Sequence, residues 1–310
     1  MTTPLRIGTR ASPMALAQTH LVRDRLAAAH PQLAAPGAME VVAVTTVADK
    51  VLDRPLAAIG GKGLFTKELE QALIEQRIDI AVHSMKDVET WLPEGLTIAC
   101  TLPRDDPRDA FLSPHADSLA QLPYGSRVGT SSLRRAAQVL MRRPDLAIVP
   151  LRGNANTRIR KLAEGECDAT LLAIAGLRRI GMESHAKDII STDEMLPAVA
   201  QGALGVECRA DDADICALLA PLACAETTAC INAERAFLAA LDGTCRTPVA
   251  ALATIANARM QLRAMLFTPD GKRHWATARD GAAADAVALG TEAGRIVRGE
   301  AGEMYETQLR

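Results

Sequence analysis

Arg134 and Arg135 are the residues whose placement first asks for a chemical explanation. An apolar run ends at Gly129, and three hydroxyl residues come next, Thr130, Ser131 and Ser132. Leu133, Ala137, Leu140 and Met141 then mark one face of an amphipathic segment that Pro144 stops. The pattern predicts strand, glycine turn, N-cap and helix. Both cations therefore fall in a helical first turn, where the helix dipole disfavours each by about 0.3–1 kcal/mol. A buried or bound anion reverses that sign, because free N–H groups and two guanidiniums then point at it. Two solvated arginines on an exposed turn are the alternative.

The same residue types recur after the other predicted strands. Thr9, Arg10 and Ser12 follow residues 5–8, and Ser84, Lys86 and Asp87 follow residues 78–82. Arg152, Asn154, Asn156 and Arg158 follow residues 146–151, and Arg178 and Arg179 follow residues 169–174. Ligands of parallel α/β sheets bind beyond the carboxyl ends of the strands. Between Arg127 and Arg179 eleven basic residues stand against four acids, so the strand ends should bind a polyanion. Arg142, Arg143 and Arg160 read as part of a solvated face. Arginine dominates over lysine, and its planar fork suits carboxylates or phosphates.

Asp87 is the single carboxylate among these strand-end groups. An acid surrounded by cations stays ionised, and it suits a developing cation or a set of N–H donors. A salt bridge to Lys86 or to an arginine is the plainer reading. Gly60-Gly61-Lys62-Gly63 is not a phosphate loop, since Leu56 and Gly63 stand where Gly and Ser/Thr are needed. Residues 243–248, Gly-Thr-Cys-Arg-Thr-Pro, form a tight turn that presents Cys245 at a surface or interface. A cysteine is otherwise a small buried hydrophobe.

The elements that must position these groups alternate. Strands at residues 5–8, 40–45, 78–82 and 96–101 are interleaved with helices after Ser12-Pro13 and around Leu69. Residues 46–63 are a long link of the kind that is usually functional or mobile. After the turn-rich 103–107 the alternation resumes with strands at 110–112, 127–129, 146–151 and 169–174, and one more strand lies at 206–208. This predicts two parallel, doubly wound units, with no sequence repeat between them. Beyond Pro221 a helix at 228–241, strands at 248–255 and 261–267, a turn at 268–271 and a helix at 282–297 predict an α+β domain.

Composition removes several classes. The net charge is −2 over 310 residues, which is not the basic balance of a nucleic-acid binder. Eight aromatic residues (two Trp, two Tyr, four Phe) are too few for a base-stacking platform. No apolar run is long enough for a membrane span, and the N-terminus has no signal core, so a cytoplasmic protein is expected. Seven cysteines without a Cys-x-x-Cys read as reduced thiols, and no metal site is expected.

Several long motifs occur together and in order: His83-Ser84-Met85-Lys86-Asp87, residues 129–135, Leu151-Arg152-Gly153-Asn154, residues 196–202 with Gln201, and Glu234-Arg235 with Gly243, Cys245 and Pro248 after it. On these the chain resembles the porphobilinogen deaminases, or hydroxymethylbilane synthases. Two departures are visible: Thr244 stands where Gly or Ser usually precedes the cysteine, and Thr46-Val47-Ala48-Asp49 replaces a Thr-x-Gly-Asp. The first touches loop geometry and the second the link.

The resemblance implies two lobes similar to type II periplasmic binding proteins and a C-terminal α+β domain. Domain 1 would be residues 1–102 with 203–220, domain 2 residues 103–202, and domain 3 residues 221–310. It implies a monomeric cytoplasmic transferase that joins four porphobilinogens head to tail, with loss of ammonia, into hydroxymethylbilane. Cys245 would carry a dipyrromethane cofactor through a thioether, supported by Ser84, Lys86, Thr130, Ser131, Arg134 and Arg135. Arg10, Ser12, Arg152, Arg158, Arg179 and Gln201 would hold substrate, Lys62 would act from a lid, and Asp87 would be catalytic. Cofactor plus product would bring roughly a dozen ionised carboxylates together, which suits the arginines. A solute-binding module of the same fold and a phosphate-transfer enzyme are the competing readings; the first needs neither the Cys245 loop nor a lone Asp87, and the second lacks its phosphate loop and the acidic metal ligands around it.

Overall fold

The computed structural model describes residues 4–46, 66–244 and 247–309. They form two compact units, Met1–Arg104 with Ala203–Thr228, and Asp105–Gly202 with Ala229–Arg310.

The first unit is built on β1 (Leu5–Arg10), α1 (Pro13–Ala29), β2 (Met39–Val44), α2 (Lys67–Ile74), β3 (Ile80–Ser84), β4 (Leu96–Thr101), β10 (Leu204–Arg209) and α6 (Ala213–Leu219). Ser12 starts α1 by accepting from Ala15 N at 3.2 Å, with Pro13 at the first helical position. The sheet runs β2-β1-β3-β10-β4. Leu5, Ile7, Val82 and Val206 pack with Val22 and Leu26 of α1 in one core cluster. Leu69 and Leu73 of α2 pack with Ile78 and Ala81 in another. Helices on both faces explain why these strands read as unbroken apolar runs.

The second unit holds β5 (Asp109–Leu112), β6 (Arg127–Gly129), α3 (Leu133–Arg142), β7 (Ala147–Val149), α4 (Ala155–Ala163), β8 (Ala169–Ala173), α5 (Ile174–Arg179) and β9 (Asp188–Ile189). Its sheet runs β7-β6-β8-β5-β9. Laid strand for strand on the first sheet, the pattern is the same: two parallel pairings, then an antiparallel strand, β10 in the first sheet and β5 in the second. The two α/β units are as expected, and only the expectation that they are parallel is corrected. Both sheets are mixed, because β10 and β5 run against their neighbours.

The C-terminal part has α7 (Ala225–Ala240) and then an antiparallel meander, β11 (Val249–Ala256), β12 (Arg259–Phe267) and β13 (His274–Ala282), closed by α8 (Ala286–Ala301). The sequence pattern predicts neither β13 nor the later start of α8. No residue of β13 is fully buried, so no apolar alternation marks it. Gly290 lets α8 approach α7, since a Cβ there would meet the Ala233 carbonyl and the Ala236 side chain. Ala250, Leu252 and Phe267 pack on Ala137 of α3 and on Leu196. Among the described residues no single helix is long and apolar enough to cross a membrane.

Candidate functional site

In the first unit β1, β2 and β3 are parallel, so their carboxyl ends share one edge. Arg10 ends β1 and Ser84 ends β3. Ser84 Oγ accepts from the buried Gln18 Nε2 of α1 at 2.8 Å. Residues 85–87 form a single 3-10 turn, hung from the residue before β10 by a Met85 N–H bond to the Ala203 carbonyl at 3.0 Å. That turn carries Lys86 and Asp87, both half-buried. Among the described residues Asp87 makes no ion pair. Behind the turn, buried His83 meets buried Glu207 at 2.8 Å across the β3–β10 pairing. Glu70 of α2 lies near them; burial pushes its carboxyl up, and Glu207 adds to the effect.

In the second unit β6, β7 and β8 likewise end together. Thr130 Oγ1 accepts from Ser132 N at 3.1 Å, Ser131 Oγ donates to the Leu151 carbonyl at 3.1 Å, and Ser132 caps α3. Arg134 and Arg135 are buried, not solvated. Arg134 Nη2 and Arg135 Nη2 each lie 2.7 Å from a different oxygen of Asp109. Gln201 Nε2 donates to Asp109 Oδ1 at 2.9 Å and to the Pro107 carbonyl at 2.7 Å. Burial pushes the Asp109 carboxyl up, but the two guanidiniums outweigh it and hold the group far below the ordinary carboxylate range.

Arg152 and Arg158 stand at the end of β7 and in α4, half-buried, with Arg158 Nε on the Gly153 carbonyl at 2.8 Å. Arg179 Nη2 donates to the Gly202 carbonyl at 2.8 Å and lies 3.6 Å from Asp105. Gly202 has φ +91°, and a Cβ there would strike the Asp105 carbonyl, so only glycine fits this chain crossing. Arg143, read as solvated, instead holds Asp145 and the carbonyls of Leu119, Ala120 and Leu122. Arg142 and Arg160 are exposed, as read from the sequence, Arg142 on the carbonyls of Asp193 and Glu194 and Arg160 beside Glu164.

Asp109 is the residue that sequence reasoning missed. Residues just after a strand mark the binding edge only where the strands are parallel. β5 is antiparallel, so its first residue, paired with Ala173 at the end of β8, lies at that same edge. Asp87 is therefore not the single carboxylate at the strand ends; Asp109 and Asp105 are there too, each beside an arginine. The signal was an acid standing immediately before the predicted strand at 110–112.

Two expected residues, Lys62 and Cys245, lie outside the described residues. The chain on either side of Cys245 is well held. Gly243 N donates to the Leu238 carbonyl at 2.9 Å, and Thr244 N donates to Thr247 Oγ1 at 2.9 Å. Buried Glu234 of α7 accepts from Ala200 N at 2.6 Å and Ala253 N at 2.8 Å. It thus ties α7 and β11, the elements flanking the cysteine, to the turn that bears Gln201.

Residues 5–217 match the family model described as porphobilinogen deaminase, dipyromethane cofactor binding domain, and residues 228–297 match its C-terminal domain. The chain belongs to the porphobilinogen deaminase family. Porphobilinogen deaminase of Paracoccus denitrificans is 54% identical over 298 residues, 96% of this chain and 95% of that one. The chloroplastic enzyme of Oryza sativa subsp. japonica is 52% identical over 309 residues, 99% of this chain and 86% of that one. A nutrient-binding protein of Burkholderia cenocepacia bound to methionine covers 70% of this chain and 90% of its own, with TM-score 0.43 and 16% identity. As a member of the deaminase family, the chain is a transferase of tetrapyrrole biosynthesis that polymerises porphobilinogen into hydroxymethylbilane and uses a dipyrromethane cofactor.

The residues present fit such an anionic group. Among the described residues Arg134 Nε and Arg179 Nε are buried donors without a hydrogen-bond partner. Leaving a buried donor unmet is costly, and carboxylate side chains would satisfy both.

Acid should act on the folded chain through its arginine-paired carboxylates. Burial raises the Asp79 carboxyl, but bonds from Arg6 outweigh that and bring it below its ordinary value. A lowered folded pKa contributes stability that is present above the unfolded pKa and lost as pH falls. The melting temperature should therefore drop as pH falls below about 4. Asp79→Asn should cost about 1.5–3 kcal/mol at pH 7 and lose less on acidification. Scanning calorimetry at pH 7 and below about 4 checks both.

Proposed function

We propose that Asp87 is the catalytic residue, and that the arginines at both strand-end edges hold the carboxylates of cofactor, substrate and growing chain. The observation that carries this reading is the contrast between them. Two arginines share Asp109, and among the described residues one of them, Arg134, still keeps an unmet Nε donor, while Asp87 has no cation to neutralise it.

When bound, the dipyrromethane would supply the free pyrrole α-carbon at which chain growth begins, and Cys245 would hold it through a thioether. In each turn a C–N bond of porphobilinogen breaks, a C–C bond forms, and the proton from the α-carbon leaves with the amine as ammonium. Loss of ammonia makes the porphobilinogen methylene carbon cationic. Asp87 accepts pyrrole N–H bonds, stabilises that cation, and helps move the proton to the leaving amine. Ser84, Lys86, Thr130, Ser131, Arg134 and Arg135 hold the cofactor. Arg10, Ser12, Arg152, Arg158, Arg179 and Gln201 hold incoming rings, and Lys62 acts from a lid. The three domains are residues 1–102 with 203–220, 103–202, and 221–310. The enzyme works as a cytoplasmic monomer with no nucleic-acid or membrane partner.

Arginines that hold different rings cannot be interchangeable. Arg134→Leu, Arg152→Leu and Arg179→Leu should each stall a different mixture of enzyme-bound intermediates. Intact mass spectra after a brief exposure to porphobilinogen display those mixtures. Identical distributions in all three would leave a diffuse positive field and no ring-specific role.

A further inference from the structure

Asp109 is fully buried, so it cannot touch a substrate, yet it meets three residues of the proposed site. They come from separate segments: Arg134 and Arg135 from the first turn of α3, and Gln201 from the turn before the chain leaves the unit. Arg135 spends its Nε and Nη2 edge on Oδ1, at 3.3 and 2.7 Å. Arg134 spends Nη2 on Oδ2 at 2.7 Å and Nη1 on the Leu196 carbonyl at 2.8 Å, and its Nε remains buried and unmet. One carboxylate thus fixes the rotation of both guanidiniums and still leaves the cluster with a net positive charge.

We propose that Asp109 is a positioning residue for cofactor acquisition: it aligns Arg134 and Arg135 so that their remaining N–H groups face the incoming dipyrromethane carboxylates. The proposal rests on the reading that these two arginines hold the cofactor. Adjacent guanidiniums in a buried site repel, and without the shared carboxylate they would turn apart toward whatever acceptors they could reach. A fork holds an anion well only when its plane is set beforehand.

This role differs in sign from simple charge balance. Removing Asp109 makes the cluster more positive. If the carboxylate were only a counter-charge, an anionic cofactor would then load faster. If it orients the arginines, loading slows although the charge has risen.

The test uses full-length protein made without cofactor in a host unable to synthesise porphobilinogen. Porphobilinogen is added, and native mass spectrometry tracks the gain of one dipyrromethane in the folded population. Asp109→Asn should load about tenfold or more slowly, the equivalent of one lost charge-assisted bond. Arg135→Lys keeps the charge but not the fork, and should slow loading about fivefold or more. Asp109→Asn protein that loads at the unmodified rate or faster overturns the proposal. If that variant yields no folded protein, Arg135→Lys decides: unmodified loading overturns the proposal, and slow loading supports it. Arg134→Leu separates the proposal from the reading beneath it. Unmodified loading there removes the cofactor role of the arginines and the proposal with it. Slow loading there, together with unmodified loading in Asp109→Asn, removes only the positioning role.

Discussion

Cys245→Ala should abolish turnover and leave the protein lighter than the wild type by one dipyrromethane as well as by the sulfur. The wild-type chain should weigh more than its 310 residues by that cofactor. A thioether is not reduced by thiols, so the excess mass should survive dithiothreitol, unlike a mixed disulfide. The other cysteines should tolerate alanine one at a time without loss of the added mass. Cys100, Cys167, Cys208 and Cys230 are buried. Burial pushes the Cys100 thiol up to about 11 and the Cys208 thiol up to about 12, so neither supplies a thiolate near neutral pH. Cys245 differs by its place. It lies outside the described residues, in the chain between α7 and β11, next to residues that are themselves held: Gly243 N bonds the Leu238 carbonyl and Thr244 N bonds Thr247 Oγ1. Fully active wild-type enzyme of unmodified mass would remove the thioether assignment.

Asp87→Asn should lower turnover by about a hundredfold or more while leaving the fold and the cofactor in place, the size of effect seen when one main electrostatic stabiliser is lost. Asparagine keeps the size and much of the hydrogen bonding but removes the charge. Stability should barely change, because Asp87 has no ion pair to break among the described residues. That separates it from Asp79 and Asp109, whose charges are matched within the protein. Circular dichroism, intact mass and steady-state ammonia release on the same preparation give the three readouts. Near-normal turnover in folded, cofactor-bearing Asp87→Asn protein would sink the catalytic assignment.

Strand ends, caps and chemistry were legible locally. Ser12-Pro13 announced α1, and Ser132 announced α3, because a cap is a contact between residues three apart. The cations after each strand were visible because parallel strands place their carboxyl ends at one edge. The C-terminal strand β13 was not legible, since a strand with no fully buried residue has no need of an apolar alternation. Nor were the partners of the arginines, which lie as far apart as Asp109 and Arg134, or Arg143 and Leu119.

What this sequence by itself determined is the set of candidate groups: Asp87 after an apolar strand, the arginines after four others, and Cys245 bracketed by Gly243 and Pro248. These are matters of residue type and short spacing, which a chain carries without folding. Only the tertiary structure decided which charges are matched and which are not. Strand direction is set by long-range pairing, and it is the antiparallel entry of β5 that brings Asp109 under Arg134, Arg135 and Gln201. The same topology in the first unit hangs the Asp87 turn from the residue before β10 and, among the described residues, brings no cation into an ion pair with it. A carboxylate's role depends on the charges that surround it, and that surrounding is made by strands distant in sequence.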